Sequence, residues 1–393
     1  MADFKYLIVG GGMTADAAVK GIREVDPTGT IGLIGEEPDA PYSRPPLSKG
    51  LWKGKPVDRV WRHTEKQAVE LLLGRRALRL DLGRQAVIDD RGEAHGFDRL
   101  LLATGSRPRR LPFGGEHILY YRTLADFRHL WDLAQRGQRF AVIGGGFIGA
   151  EIAAALAMNG KQVNLLFPER TLGARVFPAE LGRFLVDYYR EKGVVVQPGA
   201  TVTNVTGSEG RVSVRSSVGE LIVDGVVAGI GVQPNVELGQ AAGLAVEDGI
   251  VVDEYLRTMQ PNIYAAGDVA AFYSPALGKR LRVEHEDNAV TMGKLAGRNM
   301  AGEHSSYTHL PFFYSDLFDL GYEAVGEVDA RLETLADWKV PYREGVIYYH
   351  ADNHVRGVLL WNVWDQVEAA RRLIAARWPA APGVLQGQLA VTA

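Results

Sequence analysis

Two stretches of the same shape decide the fold: Tyr6-Leu-Ile-Val-Gly-Gly-Gly-Met-Thr-Ala15 and Phe140-Ala-Val-Ile-Gly-Gly-Gly-Phe-Ile-Gly149. Each starts with a short apolar run, continuous as in a strand buried on both faces, and passes through three glycines into an Ala-rich segment with helical spacing. A second apolar run, at residues 30–34 and 162–167, follows each segment and is itself followed by an acidic residue. The chain therefore repeats one βαβ unit, whose crossover we expect to be right-handed.

The first repeat carries the fingerprint Gly10, Gly12 and Ala15, with Thr14 inside it and Glu36 after the next strand. The first glycine permits a tight turn, the second lets the backbone approach a pyrophosphate, and the small third residue lets the helix pack closely. The helix N-terminus then directs its partial positive charge at the phosphates, and the carboxylate accepts from ribose hydroxyls. The alternative is a glycine-rich turn that serves packing alone.

The second repeat has the same pattern at Gly144, Gly146 and Gly149, with Glu169 after its second strand. Two complete fingerprints in one chain favour nucleotide binding over packing. A carboxylate at Glu169 favours the free 2′-hydroxyl of NAD and repels the 2′-phosphate of NADP, so we expect NADH. The neighbouring Arg170 leaves NADPH as the less favoured alternative.

The bulk composition restricts the classes of function. A length of 393 residues predicts two or three domains, and 46% apolar with 23% charged residues is typical of a globular protein. The absence of cysteine excludes disulfides, Cys-ligated iron–sulfur or zinc sites and a dithiol relay. A formal net charge of -3 disfavours nucleic-acid binding. No apolar run is long enough for a membrane span and no metal-ligand spacing stands out, so we expect a cytoplasmic protein without a metal site.

The sequence after the second repeat extends the α/β architecture. Residues 178–192 predict an amphipathic helix, and residues 194–232 alternate like a β-meander. Strand and turn signals resume from Gly243, and a helix is expected at residues 284–300. We interpret this last segment as a return of the chain to the first nucleotide fold.

The C-terminal part predicts a small, β-rich α+β cap. Its aromatic-rich segments alternate as strands do, and a helical stretch follows them. The expected elements are strands at 322–328, 346–350 and 355–360 and a helix at 366–378. Residues 379–393 are rich in Pro, Ala and Gly and predict an extended tail.

Three motifs around the first repeat resemble the FAD-binding signatures of pyridine-nucleotide:flavoprotein reductases. They are Pro41-Tyr-Ser-Arg-Pro-Pro-Leu-Ser-Lys49, Leu101-Leu-Ala-Thr-Gly105 and Ala266-Gly-Asp268. The resemblance implies that the first fold binds FAD and the second NADH. It predicts an α/β protein with two Rossmann-like domains of the glutathione-reductase type and a small α+β C-terminal domain. The expected boundaries are 1–113 with 236–308 for FAD, 114–235 for NAD(H) and 309–393 for the cap.

The resemblance also assigns cofactor contacts. Arg44 would offset the charge of the FAD pyrophosphate, and Asp268 would accept from the ribityl hydroxyls; the alternative for Arg44 is a surface cation in a Pro-rich loop. The FAD-binding residues expected are Gly10, Gly12, Thr14, Ala15, Glu36, Arg44, Lys49, Ala103, Thr104, Gly105, Gly267, Asp268, Glu284 and His285. Those expected for NAD are Gly144, Gly146, Phe147, Ile148, Gly149, Glu169 and Gly231.

Five residues are candidates for the catalytic machinery. Lys49 and Glu151 are similar to the Lys–Glu pair that these enzymes place beside the flavin N5, where the ammonium stabilises charge on the reduced ring. Glu151 has a second interpretation, as an acid on the first turn of a helix. Phe147 resembles the aromatic residue that shields the flavin until nicotinamide displaces it, or packs the helix. His285 would lie near both rings or be structural, and Tyr314 would lie beside the flavin.

Further motifs resemble the apoptosis-inducing factors. Val283-Glu-His-Glu-Asp-Asn-Ala-Val290 and Leu320-Gly-Tyr-Glu-Ala-Val-Gly326 carry this likeness, which covers nearly the whole chain. There are departures: Tyr314 stands where that group has Trp, Glu286 replaces a second His, and the long insertion of the animal proteins is absent between Val328 and Val346. An apoptotic role is therefore not transferred.

The resemblance implies an oxidoreductase that moves a hydride from NADH to non-covalent FAD and passes electrons to a ferredoxin- or rubredoxin-type protein, a quinone or another small oxidant. The alternative is a redox sensor that keeps a long-lived charge-transfer complex, as a monomer or an NADH-promoted homodimer. A basic rim is a candidate docking site for an acidic acceptor, with a plain solvated surface as the alternative. Its residues are Arg107, Arg109, Arg110, Lys279, Arg280 and Arg282.

Overall fold

The computed structural model describes residues 2–208 and 210–389. They form two compact units that are discontinuous in sequence. The first unit comprises residues 2–44, 57–107 and 233–311, and the second comprises residues 45–56, 108–232 and 312–389.

The described residues form strands that are mostly short. In chain order they are β1 (Ala2–Val9), β2 (Ile31–Gly35), β3 (Glu70–Leu73), β4 (Ala77–Asp81), β5 (Ala86–Asp89), β6 (Ala94–Leu102), β7 (Ser106–Pro108), β8 (Leu119–Tyr120), β9 (Arg139–Ile143), β10 (Gln162–Phe167), β11 (Val195–Pro198), β12 (Val202–Ser208), β13 (Arg211–Ser216), β14 (Gly219–Val223), β15 (Gly225–Ala228), β16 (Val232–Pro234), β17 (Ile250–Val251), β18 (Ile263–Ala265), β19 (Ala270–Ser274), β20 (Lys279–Leu281), β21 (Phe312–Leu317), β22 (Leu320–Gly326), β23 (Glu333–Val340), β24 (Glu344–Ala351) and β25 (His354–Trp361).

The helices are α1 (Met13–Val25), α2 (Leu124–Arg136), α3 (Phe147–Met158), α4 (Ala179–Glu191), α5 (Glu237–Ala241), α6 (Glu286–Met300), α7 (Val367–Ala375) and α8 (Pro382–Leu385). Within the described residues, no helix is long and apolar enough to cross a bilayer.

The first unit is built on a sheet whose central strands are parallel. The order is β3-β2-β1-β6-β5-β4, and β18 pairs in parallel with β6. β2 and the C-terminal part of β1, Tyr6–Val9, are buried throughout, as expected for strands covered on both faces. The first predicted repeat is thus the βαβ unit β1-α1-β2, and chain order reverses at β1, where ligands bind in open α/β sheets.

Helices α1 and α6 of the first unit pack backbone to backbone. A Cβ added to Gly21 of α1 would lie 2.1 Å from the carbonyl oxygen of Lys294, and one added to Gly297 of α6 would lie 2.1 Å from that of Ala18. Both distances are far inside van der Waals contact, so these glycines permit the close approach. The return of the chain to this fold through α6 is as the sequence predicts.

The second unit contains an all-parallel five-stranded sheet of order β11-β10-β9-β15-β8. The second predicted repeat is the unit β9-α3-β10, and α4 falls within the predicted helix 178–192. The expected β-meander over 194–232 is correct only for β12–β14, which form a separate antiparallel sheet. β11 and β15 instead pair in parallel with the strands of the second repeat, β10 and β9. Alternation alone did not separate these pairings, because short strands of either kind share it.

The C-terminal part of the second unit is an antiparallel sheet of order β21-β22-β25-β24-β23 with α7 packed on β22 and β25. Its core includes the fully buried rings of Tyr322 and Trp361, which stack 5.7 Å apart. The predicted extended tail is wrong for the described residues up to 389. The chain turns into α8 and buries Leu385 and Leu389, because apolar burial outweighs the weak local preference of this composition. The tail residues 390–393 lie outside the described part.

Two Rossmann-like folds and an α+β C-terminal region agree with the predicted fold class. The three-domain boundaries proposed from the sequence remain a prediction.

Candidate nucleotide sites and flavin-edge cluster

The predicted FAD residues of the first unit follow the carboxyl ends of adjacent parallel strands. Gly10 follows β1, Glu36 follows β2, Ala103 follows β6 and Ala266 follows β18. Because parallel strands end at one edge of the sheet, these turns converge on the crevice where nucleotides bind in this architecture.

The glycine turn of the first unit has the shape that its fingerprint predicts. Gly10 adopts φ +127°, and a Cβ there would lie 2.0 Å from the carbonyl oxygen of Ala103. At Gly12, which caps α1, an added Cβ would meet no atom within 4 Å. The space before the helix start is therefore open, and the N-terminal amides can face a pyrophosphate there. Ala15 at the third position is fully buried.

Thr14 brings the Ala266–Asp268 turn close to the glycine turn. Gly267 has φ +76°, and a Cβ on it would lie 2.3 Å from Thr14 Oγ1. Asp268 follows directly and is buried, with its Oδ2 accepting a hydrogen bond of 2.7 Å from Ser106. The other lone pairs of the carboxylate can accept from ligand hydroxyls. The site therefore fits a polyhydroxylated chain next to a phosphate.

Arg44 is held by two neighbours. Its guanidinium donates to Glu37 Oε1 at 2.5 Å and to the Tyr42 hydroxyl at 3.1 Å. Glu36 differs from Glu37, because its side chain is 75% exposed and lies 4.0 Å from Arg76. The predicted ribose acceptor is accessible, whereas the acid beside it orients the predicted phosphate-binding cation.

The loop after β6 is fixed by reciprocal hydrogen bonds. Thr104 Oγ1 donates to the carbonyl of Asn235 at 2.7 Å, and the Asn235 amide donates to the carbonyl of Thr104 at 2.8 Å. Gly105 adopts φ +67° and accepts from the Asn235 backbone N–H. These contacts hold the Ala103–Gly105 segment in one conformation next to β1.

His285 is the residue immediately before α6, and Glu284 precedes it. Arg282 joins this segment to the Ala266–Asp268 turn, because its guanidinium donates to Glu284 Oε1 at 2.5 Å and to the Asp268 carbonyl at 3.2 Å. The predicted residues of the α6 N-terminus are thus linked to Asp268 within the first unit.

The glycine turn of the second unit differs from the first at its third position, where Gly149 stands in place of Ala15. Gly144 has φ +115°, and its Cβ would lie 2.3 Å from the carbonyl oxygen of Gly229. A Cβ on Gly149 would lie 1.9 Å from the carbonyl oxygen of Gly144, which excludes any larger residue. At Gly146, before α3, an added Cβ would meet nothing within 4 Å. This site also fits a pyrophosphate at a helix start.

The remaining predicted NAD residues lie at the same sheet edge. Glu169 comes two residues after β10 and is half-buried, and Gly231 follows β15 with φ +92°. Ile148 of α3 lies against Gly229, since a Cβ added to Gly229 would lie 3.2 Å from the Cβ of Ile148. Glu169 and Gly231 therefore border the open space before α3, as the parallel topology requires.

The predicted Lys49–Glu151 pair forms within the second unit, together with two serines. Lys49 Nζ donates to Glu151 Oε1 at 2.5 Å, and Ser315 donates to the same oxygen at 2.6 Å. Ser48 donates to Oε2 at 2.5 Å. Glu151 is 4% exposed, so a buried carboxylate has three donors. We call Ser48, Lys49, Glu151, Ser315 and Tyr314 the flavin-edge cluster, after the position that the family resemblance predicts for Lys49 and Glu151.

Two aromatic residues border this cluster. The Tyr314 ring lies 5.3 Å from Lys49 Nζ, within the range of a cation–π contact, and is 38% exposed. The ring of Phe147, the first residue of α3, meets Phe313 edge-on at 5.2 Å.

One expectation about Glu151 is wrong. The structure places it on the second turn of α3, because the helix begins at Phe147, and the residue is buried. The helix-start interpretation thus loses its basis, since the dipole effect falls off after the first turn. The hydrogen bonds to Lys49 and the serines account for its position instead.

Sequence reasoning missed several supporting residues: Glu37, Tyr42, Ser48, Ser106, Asn235 and Ser315. Ser48 and Glu37 adjoin predicted residues, and this adjacency was the available signal. Ser315 contacts a residue 164 positions away, and nothing in the local sequence indicates that contact.

The buried charges around the flavin-edge cluster perturb neighbouring groups. Burial raises the pKa of the Tyr189 and Tyr322 hydroxyls, and the negative charge of Glu151 raises it further. Burial also raises the pKa of the Glu323 carboxyl, with an added contribution from Asp365. Both tyrosines therefore stay neutral around a charged carboxylate.

The predicted basic rim is partly neutralised. In the first unit Arg107 pairs with Glu237 at 2.5 Å, and Arg282 with Glu284 at 2.5 Å. A separate cluster of Asp89, Glu93 and His95 has the spacing of metal ligands, but Arg75 donates to both carboxylates. A cation already occupies the centre of that cluster, so it carries no metal assignment.

Comparison with known proteins agrees with this architecture. The family model described as pyridine nucleotide-disulphide oxidoreductase matches residues 4–293. A model of the C-terminal domain of mitochondrion-associated apoptosis-inducing factor matches residues 296–341 and 336–376. These matches cover both glycine turns and the antiparallel sheet.

Two groups of relatives are the apoptosis-inducing factors and the ferredoxin reductases. Apoptosis-inducing factor 1, mitochondrial, of Dictyostelium discoideum is 34% identical over 95% of this chain and 79% of its own length. The ferredoxin–NAD(+) reductase component of the anthranilate 1,2-dioxygenase system of Burkholderia cepacia is 34% identical over 94% of each. In a crystal structure of the covalent putidaredoxin reductase–putidaredoxin complex, the matched chain superposes with a TM-score of 0.91 and 31% identity, covering 98% of this chain and 96% of that one.

Proposed function

The chain belongs to the pyridine nucleotide-disulphide oxidoreductase family, and from that premise we propose that it is an FAD-dependent NADH:acceptor oxidoreductase. Membership implies the use of a flavin and a pyridine nucleotide. The observation that carries the finer proposal is the presence of two open glycine turns with different surroundings, each preceding a helix start.

The first turn is proposed to hold FAD. The amides at the start of α1 and the guanidinium of Arg44 would bind the pyrophosphate, and Asp268 would accept from the ribityl chain. Glu36, which is exposed, would accept from the adenosine ribose. Because Glu37 and Ser106 already orient Arg44 and Asp268, little conformational entropy is lost on binding.

The second turn is proposed to hold NADH. Its pyrophosphate would lie at the start of α3, and Glu169 would accept from the 2′-hydroxyl of the adenosine ribose. The phosphate of NADPH at that position would be repelled by the Glu169 carboxylate, which is the physical basis for preferring NADH. The three-domain boundaries expected from the sequence are proposed on the same assignment.

The flavin-edge cluster is proposed to serve hydride transfer. When bound, the flavin accepts a hydride from NADH and releases electrons one or two at a time. The Lys49 ammonium, fixed by Glu151, would stabilise negative charge at the flavin edge. Phe147 would cover the ring until nicotinamide arrives. Tyr314 and His285 would border the reacting rings.

The proposed acceptor is a ferredoxin-type iron–sulfur protein. Relatives include ferredoxin reductases, and a similar chain has been captured with putidaredoxin. This chain has no cysteine, so a dithiol relay is not available and electrons must leave from the cofactor itself. A quinone is the alternative acceptor.

One observation favours a second candidate function. The C-terminal region matches the apoptosis-inducing-factor model, and this match favours an NADH-responsive sensor in which reoxidation is slow and a homodimer forms. The two functions differ in turnover, because a reductase exceeds about 1 per second with its acceptor.

The experiment is anaerobic mixing of the purified protein with NADH, followed by a [2Fe-2S] ferredoxin, a quinone or air. The reductase predicts rapid flavin bleaching by NADH, slower bleaching by NADPH, and fast reoxidation by the ferredoxin. Persistence of the reduced protein with every acceptor, together with a dimer on size-exclusion chromatography, would favour the sensor. Protein without flavin would contradict both functions.

A further inference from the structure

The carboxylate of Glu151 is more completely satisfied than a simple Lys–Glu pair requires. Its two oxygens accept from three side chains that come from different parts of the second unit. Ser48 ends a short helical turn, Lys49 follows it, and Ser315 lies in the middle of β21. Both serine side chains are buried, at 7% and 1% exposure, so each hydroxyl has been taken out of water.

Burying two hydroxyls is unfavourable unless they make hydrogen bonds, and bonds to a charged acceptor are the strong ones. A single Lys–Glu contact leaves the carboxylate free to rotate about its last torsion, which is broad for glutamate. With Ser48 on Oε2 and Ser315 on Oε1, that rotation is blocked. Lys49 then meets one fixed oxygen, and its ammonium stays over the Tyr314 ring.

We propose that Ser48 and Ser315 are positioning residues, whose hydroxyls fix the Glu151 carboxylate in the orientation that holds the Lys49 ammonium in place. The importance of this positioning for hydride transfer rests on the function proposed above. The positioning itself follows from the contacts of these side chains and does not depend on that function.

The groups that face Glu151 leave this role to the serines. Tyr189 of α4 points its hydroxyl at the carbonyl of Ala150, at 3.1 Å, and so is engaged with the backbone. Tyr322 of β22 pairs with Ser315 across the sheet, and burial, with a further contribution from the negative charge of Glu151, raises the pKa of its hydroxyl. Lys49 supplies the cation, and the serine hydroxyls supply the additional donors that orient the carboxylate.

The test measures the protection of Lys49 directly. Lys49 is 13% exposed and donates to the Glu151 carboxylate, whereas Lys5 and Lys294 are 52% and 46% exposed. An amine-reactive ester is applied to the purified protein, and labelling at each lysine is followed by mass spectrometry. Removing the hydroxyls in Ser48→Ala and Ser315→Ala should speed labelling of Lys49 by at least about fivefold, because the loss of a hydrogen bond to a charged group changes an equilibrium by at least that factor.

Lys5 and Lys294 serve as internal references and should label at unchanged rates, which also shows that the fold is intact. Ser315→Thr keeps the hydroxyl and should retain the protection. Ser213→Ala is a matched control, because Ser213 also donates to a glutamate, Glu220, but at an exposed site. It should leave Lys49 unchanged.

A second readout connects the positioning to the reaction. In Ser315→Ala the limiting rate of flavin reduction by NADH should fall about tenfold with little change in the NADH concentration at half saturation. In a Lys49→Met background the same change should have no further effect, since the group it positions is gone.

Unchanged Lys49 labelling in both alanine variants would overturn the inference, whatever the protein oxidises. Faster labelling in Ser315→Thr as well would also overturn it, because packing and not the hydroxyl would then be responsible. Failure of NADH to reduce the protein would instead contradict the proposed function and leave the labelling result standing.

Discussion

The two glycine turns share a backbone and differ in what surrounds them. In both, the first glycine has a positive φ and abuts a backbone carbonyl, and the second faces open space. Around the first turn, two charged side chains are oriented by hydrogen bonds: Arg44 donates to Glu37, and Asp268 accepts from Ser106. Around the second, Glu169 is a half-buried acid and Gly231 contributes only backbone.

This difference suits the two kinds of nucleotide that we propose for the two turns. A resident cofactor is retained by many preorganised contacts, since each protein side chain that is already ordered lowers the entropic cost of binding. A nucleotide that must leave after every turnover is better served by a helix start and a single selective acid. We therefore infer tight binding at the first turn and exchange at the second.

The largest expected effect breaks the second turn alone. Gly149→Ala would place a Cβ 1.9 Å from the Gly144 carbonyl oxygen, so the turn must deform. The kcat/KM for NADH should fall by about 1000-fold while bound flavin is retained. Ala15→Gly is the matched change in the first turn and removes only a methyl group. Loss of flavin in Gly149→Ala would contradict the assignment.

Arg44→Ala tests the first turn alone. Loss of a charge-assisted contact to phosphate should raise the dissociation constant for FAD by about 100-fold, measured by flavin fluorescence on reconstitution of the apoprotein. Arg331→Ala, which removes a guanidinium that is 89% exposed, should have no effect. Equal FAD affinity in the two variants would remove Arg44 from the site.

Asp89→Asn tests the fold of the first unit without touching either turn. Burial opposes ionisation of Asp89, but hydrogen bonds from His95 and Arg75 outweigh it and lower its pKa to about 2, from 3.8. A lowered folded-state pKa stabilises the protein above about pH 4, and this contribution is lost as the pH falls through about 2.

The Asp89→Asn variant should therefore lose about 2 kcal/mol of unfolding free energy at pH 7, and the difference from the parent should shrink on acidification. Urea unfolding at several pH values measures it. The exposed Asp187→Asn should show no such difference. A pH-independent loss would mean that packing, and not charge, accounts for the contribution of Asp89.

The smallest expected effect concerns selectivity at the second turn. Glu169→Gln removes the charge that repels a 2′-phosphate, so the preference for NADH over NADPH should fall by about tenfold in kcat/KM. Glu36→Gln is the counterpart at the first turn and should leave that preference unchanged. An altered preference in Glu36→Gln would mean that the two turns have been assigned the wrong way round.

The parts that the sequence predicted are those fixed by neighbouring residues. The βαβ units, the positions of Gly10 and Gly144 and the acids after the second strands follow from spacing along one strand, turn and helix. The Lys49–Glu151 contact came from resemblance, because the two residues are 102 positions apart. The structure brings them together with Ser48 and Ser315.

The parts that failed depend on tertiary packing. The composition of the tail around Leu385 predicts an extended chain, yet Leu385 and Leu389 are buried against the rest of the protein. β11 and β15 lie in the segment that was predicted as a meander but add to a parallel sheet, since pairing is decided by the neighbouring strand. The sequence predicted that Glu151 lies on the first turn of its helix. Because α3 begins at Phe147, the residue lies on the second turn.

The most direct test of the central claim exchanges the second glycine of each turn for valine. At Gly12 and Gly146 an added Cβ meets no protein atom within 4 Å, so the side chain should block the nucleotide without disturbing the fold. Visible absorbance and anaerobic reduction are measured on both variants. Gly12→Val should be purified without flavin. Gly146→Val should stay yellow and be bleached by dithionite but not by NADH. A yellow, NADH-reducible Gly12→Val, or a colourless Gly146→Val, would contradict the account.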